Sequence, residues 1–569
     1  MYIDFVPNRG SKPAILLRES IREGKRIKKR TIANLSALTL EQAEAIRLAL
    51  KGGQLAPVDG RFDCIRSLPH GHVEAVRIAM RRLGFDKLID GKASRERDLV
   101  VAMVAGRILA PEASKLAMTH AWADTTLAED FSVADAHEDE LYAAMDWLIE
   151  RQDKIEKRLA RRHLKEGGLV LFDLTSSSFE GVTCPLAKIG YSRDGKPGTL
   201  QVNYGLLTDA RGCPVAVSVF EGNVADPKTF LLQVETVRDR FGIASMVMVG
   251  DRGMISNVQI EAMRTMGVDW ITALKSGAIA RLADGGQLQP DLFDERNLIS
   301  FTSEDYPGER LVACRNPELA KLRAAKRQDL IAATERELQK VADMAASGKL
   351  LGRDKIGVRI GKVIGKYKVG KHFELDIQEA ALSFSVNEKR VAAEAALDGI
   401  YVIRTSAAET EMSAEAAVLN YKRLAEVERA FRTLKGVDLK VRPIRHRLES
   451  RVKAHILLSM LAYYVQWHLA EAWKPLLFAD EAPTDEARER DPVAPAGRSA
   501  AALAKAQTRR LADGSPVLSF RGLLTHLETI VRNTMRSKHV TPAMGTFTLT
   551  TEANPKQRQA FDLAAAIAA

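Results

Sequence analysis

The chain has 569 residues, of which 46% are hydrophobic and 28% charged, and its formal net charge is +11. This length exceeds what one hydrophobic core supports, so three or four domains are expected, and the composition excludes a disordered chain. The positive charge favours a polyanionic partner such as nucleic acid, although a basic protein without such a partner would show the same balance.

The first predicted unit, residues 1–55, is small, basic and rich in β-structure. Alternating segments separated by turn dipeptides predict strands up to residue 37, and a helix follows from the capping-box residue Thr39 to Gly52. Seven lysines and arginines fall between residues 18 and 30. They predict either a DNA-contacting hairpin or an exposed sheet edge whose charges prevent aggregation.

Residues 56–166 are predicted to be helical, because apolar positions from about residue 70 recur with the 3.6-residue period. The next unit is an α/β core that starts at residue 167. Apolar runs near 168–174 and 245–251 end in Asp173 and Asp251, which is typical of strands buried on both faces. Unpaired buried carboxylates are costly, so two of them at strand ends indicate a metal site.

Residues 276–398 interrupt this core and are expected to form a β-rich insertion. Within it, residues 351–371 carry seven lysines or arginines against one aspartate, with Lys366 and Lys368 flanking Tyr367. This pattern predicts a strand pair that lies along a phosphate backbone. A solvated β-ribbon whose charges prevent aggregation is the alternative.

The core resumes over residues 399–475 and contains a predicted helix from Tyr421 to Lys435. Its apolar stripe is formed by Leu424, Val427, Phe431 and Leu434. Tyr421, Glu428 and Lys435 are seven residues apart and form a column beside that stripe, with Arg432 on the same flank. Glu428 and Arg432 could form only an intrahelical pair on a solvated face, but three acids converging on Mg²⁺ would serve phosphoryl transfer.

The last region, residues 476–569, is expected to be a linker followed by a helical region. The segment 478–501 is rich in Pro, Ala and charge, and residues 519–536 predict an amphipathic helix. The N-terminus lacks an apolar signal region, and the longest apolar stretch is interrupted by polar residues. Four widely spaced cysteines argue against a zinc finger and fit a reducing compartment, so a cytoplasmic protein with no membrane partner is expected.

The order Asp, Asp and a distant Glu within Tyr-x6-Glu-x6-Lys resembles the DDE transposases of bacterial insertion sequences. The resemblance is to the group with a β-rich insertion before the Glu, and segments 190–207, 220–230 and 452–465 share it. One signature position differs from the family pattern, because Leu424 stands where that group has Arg. Arg423 or Arg432 would therefore have to supply the phosphate contact expected there. The resemblance implies a ribonuclease-H-like mixed sheet built from 167–275 and 399–475.

The resemblance also implies a chemistry. Asp173, Asp251 and Glu428 would be catalytic and would hold two Mg²⁺ ions, with Mn²⁺ as an alternative. DNA would be bound by the residues that flank these acids and by the basic segment of the insertion, namely Tyr421, Lys435, Arg432, Arg252, Lys366 and Lys368. The helical region 56–166 would read the DNA ends and pair subunits, or would be a bundle without DNA contact.

The function so implied is cleavage of double-stranded DNA at terminal inverted repeats and strand transfer to target DNA, by a homodimer when DNA is bound. Two alternatives stay open at this point. One is a catalytically inactive DNA-binding protein derived from a transposase, and the other is a structure-specific nuclease on the same fold.

Overall fold

A computed structural model describes residues 1–24, 26–52, 62–111, 114–289, 293–481, 492–493, 497–537 and 546–568. The chain divides into two compact units. One contains Met1–Leu68 and Val531–Glu552, and the other contains Pro69–Ile530 and Ala553–Ala569.

The amino-terminal unit begins with a three-stranded antiparallel sheet in the order β1-β2-β3, followed by helix α1. The elements are β1 (Tyr2–Asn8), β2 (Ser11–Glu23), β3 (Arg26–Asn34), α1 (Leu40–Leu50) and β4 (Phe62–Pro69). Ile3, Ile15 and Ala43 form its buried core. Thr39 and Gln42 form a capping box at α1, which confirms the predicted start of this helix.

Seven helices follow among the described residues of the second unit and confirm the helical pattern predicted from about residue 70, whereas β4 shows that the first described part of the region predicted as helical is a strand. They are α2 (Gly71–Arg82), α3 (Phe85–Ile89), α4 (Arg95–Leu109), α5 (Lys115–Ala123), α6 (Leu127–Asp130), α7 (Glu138–Ile149) and α8 (Gln152–His163). Helix α4 is buried from Leu99 to Ile108, because other helices cover its apolar residues on every side.

The central sheet confirms the ribonuclease-H-like prediction. Its first elements are β5 (Gly168–Ser178), β6 (Lys188–Ile189), β7 (Leu200–Asp209), β8 (Pro214–Glu221), α9 (Asp226–Glu235), β9 (Met246–Val249), α10 (Asn257–Met266) and β10 (Asp269–Ala273). Strand β7 pairs antiparallel with β5 and β8, whereas β9 pairs in parallel with β5 and β10. The resulting order β8-β7-β5-β9-β10 places the two strands that precede the aspartates side by side.

The interruption of the core is mainly helical, so its predicted β-rich character is wrong. It contains α11 (Ser276–Asp284), β11 (Leu298–Phe301), β12 (Arg310–Arg315), α12 (Pro317–Ala346), α13 (Arg353–Tyr367), β13 (Phe373–Ile377), β14 (Leu382–Val386) and α14 (Glu388–Ala395), before β15 (Ile400–Thr405) returns to the core. Strand β15 pairs antiparallel with both β10 and β12, so β11 and β12 extend the central sheet.

Helix α13 replaces the strand pair predicted for residues 351–371. Ile356, Ile360 and Val363 are buried at helical spacing against a cluster that includes Leu338 of α12 and Phe373 of β13. The sequence also alternates locally, which suggested strands, but packing of one helical face against α12 decides the conformation.

The remaining elements are α15 (Ala414–Lys422), α16 (Leu424–Lys435), α17 (Glu449–Ala472), α18 (Ala500–Thr508), α19 (Phe520–Glu528), β16 (Val531–Ser537), β17 (Thr546–Thr550) and α20 (Pro555–Ala565). The predicted helix over 421–435 is therefore two helices that meet at Arg423. The helix predicted over 519–536 ends at Glu528, because Val531 begins a strand paired between β17 and β4.

Helix α17 is the central helix of the second unit and is buried along most of its length. It packs against α4, α7, α16 and β8. Most of the predicted linker, at 482–491 and 494–496, lies outside the described residues. No helix within the described ranges is long and apolar enough to cross a membrane.

Candidate active site

Asp173 and Asp251 are brought to one place by the pairing of β5 with β9. Gly168 pairs with Met246 and Leu171 with Val249, an offset of 78 residues that also separates Asp173 from Asp251. The hydrogen-bonded pairing of β5 with β9 ends at Leu171 and Val249. The chain turns after β9, and Asp251 in this turn is exposed. Parallel pairing of two central strands thus carries both carboxylates to the same edge of the sheet.

Glu428 comes to this edge on α16, which packs against β5. Val427, Phe431 and Leu434 are buried, and the Phe431 ring meets the Tyr204 ring of β7 edge-on at 5.9 Å between centroids. Glu428 follows Val427 and is exposed, without a side-chain hydrogen bond or ion pair to any described residue. The apolar stripe therefore fixes the helix and leaves the carboxylate of Glu428 available.

The charges of Asp251 and Glu428 act on the carboxylate of Asp173. Burial, together with the charges of Asp251 and Glu428, raises the pKa of Asp173 to about 7. The Leu174 N–H, which donates to Asp173 Oδ1 at 2.8 Å, and the charge of Arg193 oppose this rise. An excess of negative charge at a half-buried carboxylate is what a bound cation would neutralise.

The donor set also fits hard divalent cations, because carboxylate oxygens are the ligands that Mg²⁺ prefers. The ligand oxygens of Asp173, Asp251 and Glu428 do not all lie within 4.8 Å of one another. Their fit to a cation therefore rests on their charge and chemistry.

Tyr421 lies at the end of α15 and donates its hydroxyl hydrogen to Asp251 Oδ1 at 3.4 Å. Burial, followed by the charge of Asp251, raises the pKa of Tyr421, so the hydroxyl stays protonated at neutral pH. The break at Arg423 separates Tyr421 from the helix of Glu428. The predicted column along one helix is therefore interrupted, but Tyr421 still reaches the second aspartate.

Lys435 forms a buried ion pair that the sequence analysis did not predict. Its Nζ lies 2.9 Å from Asp194 Oδ1, and Arg442 lies 2.6 Å from the same oxygen. The Asp194 side chain is only 3% exposed, and its other oxygen accepts the Ser178 N–H at 3.3 Å. These contacts fasten the end of α16 to the end of β5. Asp194 lies in segment 190–207, which shares the family resemblance. That resemblance is the one feature of the sequence that pointed to a role for Asp194.

The remaining predicted DNA-binding residues fall into two places. Arg252 and Arg432 are exposed beside the acids in the chain and make no ion pair with any described residue. Lys366 is on α13, with its Nζ 4.9 Å from the centre of the Tyr367 ring, and Lys368 ends that helix in the left-handed conformation with φ 58°. Both belong to the group of α12, α13 and the β13–β14 hairpin.

An exposed basic stripe runs along α13, about 100° around the helix from its buried residues. It comprises Lys355, Arg359, Lys362 and Lys366, which are spaced four, three and four residues apart. The strand geometry predicted for this segment is wrong, yet the helix still gathers its positive charges on one face.

The basic hairpin of β2 and β3 is partly neutralised. Arg18 pairs with Asp4, Lys28 with Glu23 and Arg30 with Glu19. Arg22 and Arg26 are exposed and make no ion pair with the described residues. Contact between the β2–β3 hairpin and DNA stays a prediction.

Comparison with known families gives two matches. The family model described as the transposase DDE domain matches residues 167–465, and that of the IS1634 family transposase N-terminal domain matches residues 3–57. No curated protein matches the chain. Among solved structures, the cryo-EM structure of the piggyBac transposase synaptic complex with hairpin DNA is similar with a TM-score of 0.36 and 6% identity, over 80% of this chain and 77% of that chain. A likeness at this TM-score supports no argument about the site.

Proposed function

This chain belongs to the transposase DDE-domain family, and from that premise we propose that Asp173, Asp251 and Glu428 form its catalytic set. The protein is an insertion-sequence transposase, and its family performs phosphoryl transfer on DNA with divalent metals. The observation that supports the assignment of residues is the parallel pairing of β5 with β9, by which both aspartates follow neighbouring strands, together with the packing of the Glu428 helix on β5.

The reaction we propose has two steps. In the first, water attacks a phosphorus atom at the boundary of a terminal inverted repeat, and the bond from phosphorus to the 3′-oxygen breaks to release a 3′-hydroxyl. In the second, that hydroxyl attacks a phosphodiester of the target DNA and displaces another 3′-oxygen. Both steps are in-line displacements on phosphorus, and this class of reaction suits carboxylate-bound divalent ions.

Asp173, Asp251 and Glu428 would hold two Mg²⁺ ions, or Mn²⁺ in their place. When bound, these ions supply activation of the attacking oxygen and stabilisation of the leaving oxygen. The protein itself positions the carboxylates that would bind these ions. Tyr421 orients Asp251 through its hydroxyl, and the packing of α16 on β5 holds Glu428 over the sheet edge.

We assign contacts with the DNA backbone beside the cut to Tyr421, Lys435, Arg432 and Arg252. The exposure of both arginines and their lack of ion pairs to described residues support direct phosphate contact. Lys435 is paired with Asp194, so it would share its ammonium between that carboxylate and a phosphate. Lys366 and Lys368 would contact DNA further away, on the insertion.

The proposed DNA partners are the terminal inverted repeats and the target duplex. We also propose that the enzyme works in the cytoplasm. The four cysteines are widely spaced in the sequence, which supports a reducing compartment.

The test is cleavage of a duplex that carries the terminal repeats of the encoding element, with Mg²⁺ or with EDTA. We expect Glu428→Gln to bind this duplex within about 2-fold of the wild type and to lose cleavage by roughly 10³-fold or more, since a neutral amide cannot replace a carboxylate at the cations. Glu426→Gln is the matched control, because Glu426 lies on the same helix and pairs with Arg429.

Cleavage by Glu428→Gln at the wild-type rate would remove Glu428 from the site. Tight binding without cleavage in any divalent metal would indicate a DNA-binding relic. Cleavage without joined products would indicate a nuclease on the same fold.

A further inference from the structure

Three side chains of metal-binding type meet in the second unit, apart from the catalytic acids. His163 ends α8, Cys213 follows the turn between β7 and β8, and His468 lies on α17. The Cys213 Sγ lies 3.9 Å from Nε2 of His163 and 3.9 Å from Nε2 of His468. Among the described residues they form a group whose ligand atoms all lie within 4.8 Å of one another.

We propose that Cys213, His163 and His468 bind a zinc ion that is distinct from the catalytic cations. One thiolate and two imidazoles are a ligand set that suits Zn²⁺, whereas the three carboxylates at the sheet edge suit Mg²⁺. Tetrahedral Zn²⁺, with Zn–S about 2.3 Å and Zn–N about 2.0–2.1 Å, places sulfur and nitrogen roughly 3.6 Å apart. Closing the observed distances to that value takes only a few tenths of an ångström.

The surroundings of the cluster are compatible with a cation. The rings of His163 and His468 lie 5.6 Å apart between centroids, and the Cys213 side chain is buried beside both. Asp209 Oδ1 accepts the Cys213 N–H at 3.0 Å and brings a negative charge beside the thiol.

Two positive groups near the imidazoles, Arg211 and Arg162, oppose the ion. The Arg211 guanidinium lies 3.5 Å from His163 Nδ1, where it faces the nitrogen that must carry the proton when Nε2 is a ligand. Asp209 Oδ2 holds this guanidinium at 2.8 Å, and the Trp467 ring lies 5.2 Å from it. Its charge is therefore largely balanced, and a small shift towards Trp467 would free Nδ1. The fourth ligand would be water, entering on the partly exposed side of His163.

The turn before Cys213 supports the first turn of α16. Arg423 donates to the Ala210 carbonyl oxygen at 3.0 Å, and a Cβ at Gly212, where φ is +84°, would lie 2.7 Å from Glu426 Cβ. A zinc ion would thus cross-link α8 and α17 to the turn on which the helix of Glu428 rests. This consequence for cleavage depends on the proposed function, whereas zinc binding itself does not.

The experiment is a Co²⁺ titration of the full-length chain, followed by zinc analysis of protein purified without chelator. We expect about one ion per chain, a thiolate-to-cobalt charge-transfer band, and a rise of about 3 °C or more in Tm when Zn²⁺ saturates the site. Cys213→Ser should lose the band completely. Cys184→Ser is the control, because Cys184 is equally buried but lies outside the cluster.

A variant with Asp173→Asn, Asp251→Asn and Glu428→Gln must keep the band, which separates this site from the catalytic one even if the proposed catalysis is wrong. His468→Gln retains the thiol and should weaken Co²⁺ binding by 10-fold or more. Absence of the band in the wild type, or its survival in Cys213→Ser, would overturn the proposal. The wild-type titration decides the matter even if a variant fails to fold.

Discussion

The ionised carboxylate of Asp173 is unfavourable in the metal-free fold, yet the proposed reaction needs it as a metal ligand. Its folded pKa of about 7 lies above the ordinary value of 3.8, so the folded protein binds this proton more tightly than the unfolded chain does. Without divalent cations, the contribution of Asp173 to stability therefore falls as pH rises from about 4 to about 7 and stays low above that. The ionised carboxylate destabilises the metal-free fold at neutral pH.

We predict that Asp173→Asn raises the free energy of unfolding of the metal-free protein by about 1–3 kcal/mol at pH 8. The neutral amide removes a negative charge that is partly buried and close to two other carboxylates. The lower part of this range allows for the partial exposure of the side chain. The gain should shrink as pH falls towards 4, and denaturant unfolding in EDTA at pH 8 and pH 5 measures it.

Asp239→Asn is the control, because Asp239 is exposed and pairs only with Arg238. It should change stability little at either pH. Equal stability of Asp173→Asn and wild type at pH 8 would mean that the Asp173 carboxylate is not destabilised by its neighbours.

The candidate acids could be predicted from the sequence because each one follows a regular pattern. Asp173 and Asp251 end apolar runs, and Glu428 lies beside the apolar stripe of a helical segment. The partner of Lys435 could not be predicted, since Asp194 lies 241 residues away and meets it only through the packing of α16 on β5. The cluster of His163, Cys213 and His468 has no local spacing pattern for the same reason.

At the scale of elements, two of the basic residues on α16, Arg432 and Lys435, have different surroundings. We predict that Lys435→Met lowers the free energy of unfolding by about 1–3 kcal/mol, because Asp194 is buried and keeps Arg442 as its one cationic partner among the described residues. Denaturant unfolding measures this loss. The exposed Arg432 should contribute little to stability, so Arg432→Ala is the matched comparison.

In DNA binding each of the two variants removes a proposed phosphate contact. Arg432→Ala should make the slope of log K against log salt shallower by about 0.9, the value for one lost phosphate contact. An unchanged slope would place Arg432 away from the DNA. A shallower slope for Lys435→Met as well would show that its ammonium also meets a phosphate in the complex.

Helix α13 shows where element prediction failed. Residues 356–360 alternate between apolar and polar or glycine, and three glycines weaken the helical propensity of the segment. The side chain of Val358 is exposed, which fits a helix whose other face is buried. In a strand, Val358 would share a face with the buried residues Ile356 and Ile360. Packing against α12 outweighs the local preference, and such long-range contacts cannot be read from a short window of sequence.

At the scale of the whole molecule, transposition requires two DNA ends to be held together. We predict that the full chain forms a complex of two protein chains with two terminal-repeat duplexes, measured as molar mass by light scattering. A duplex of the same length with a shuffled sequence is the control and should give no such complex. A single chain holding both ends would contradict the prediction.

The position of β15 has a consequence for the chain as it leaves the ribosome. This strand lies between β10 and β12, yet it is made 127 residues after β10 ends. At roughly 5–20 residues per second, the edge of β10 stays unpaired for about 6–25 s of translation. An open edge of this kind invites pairing with other chains. Glu428 follows only after β15, so a nascent or truncated polypeptide that ends before it holds two of the three acids and cannot complete the set.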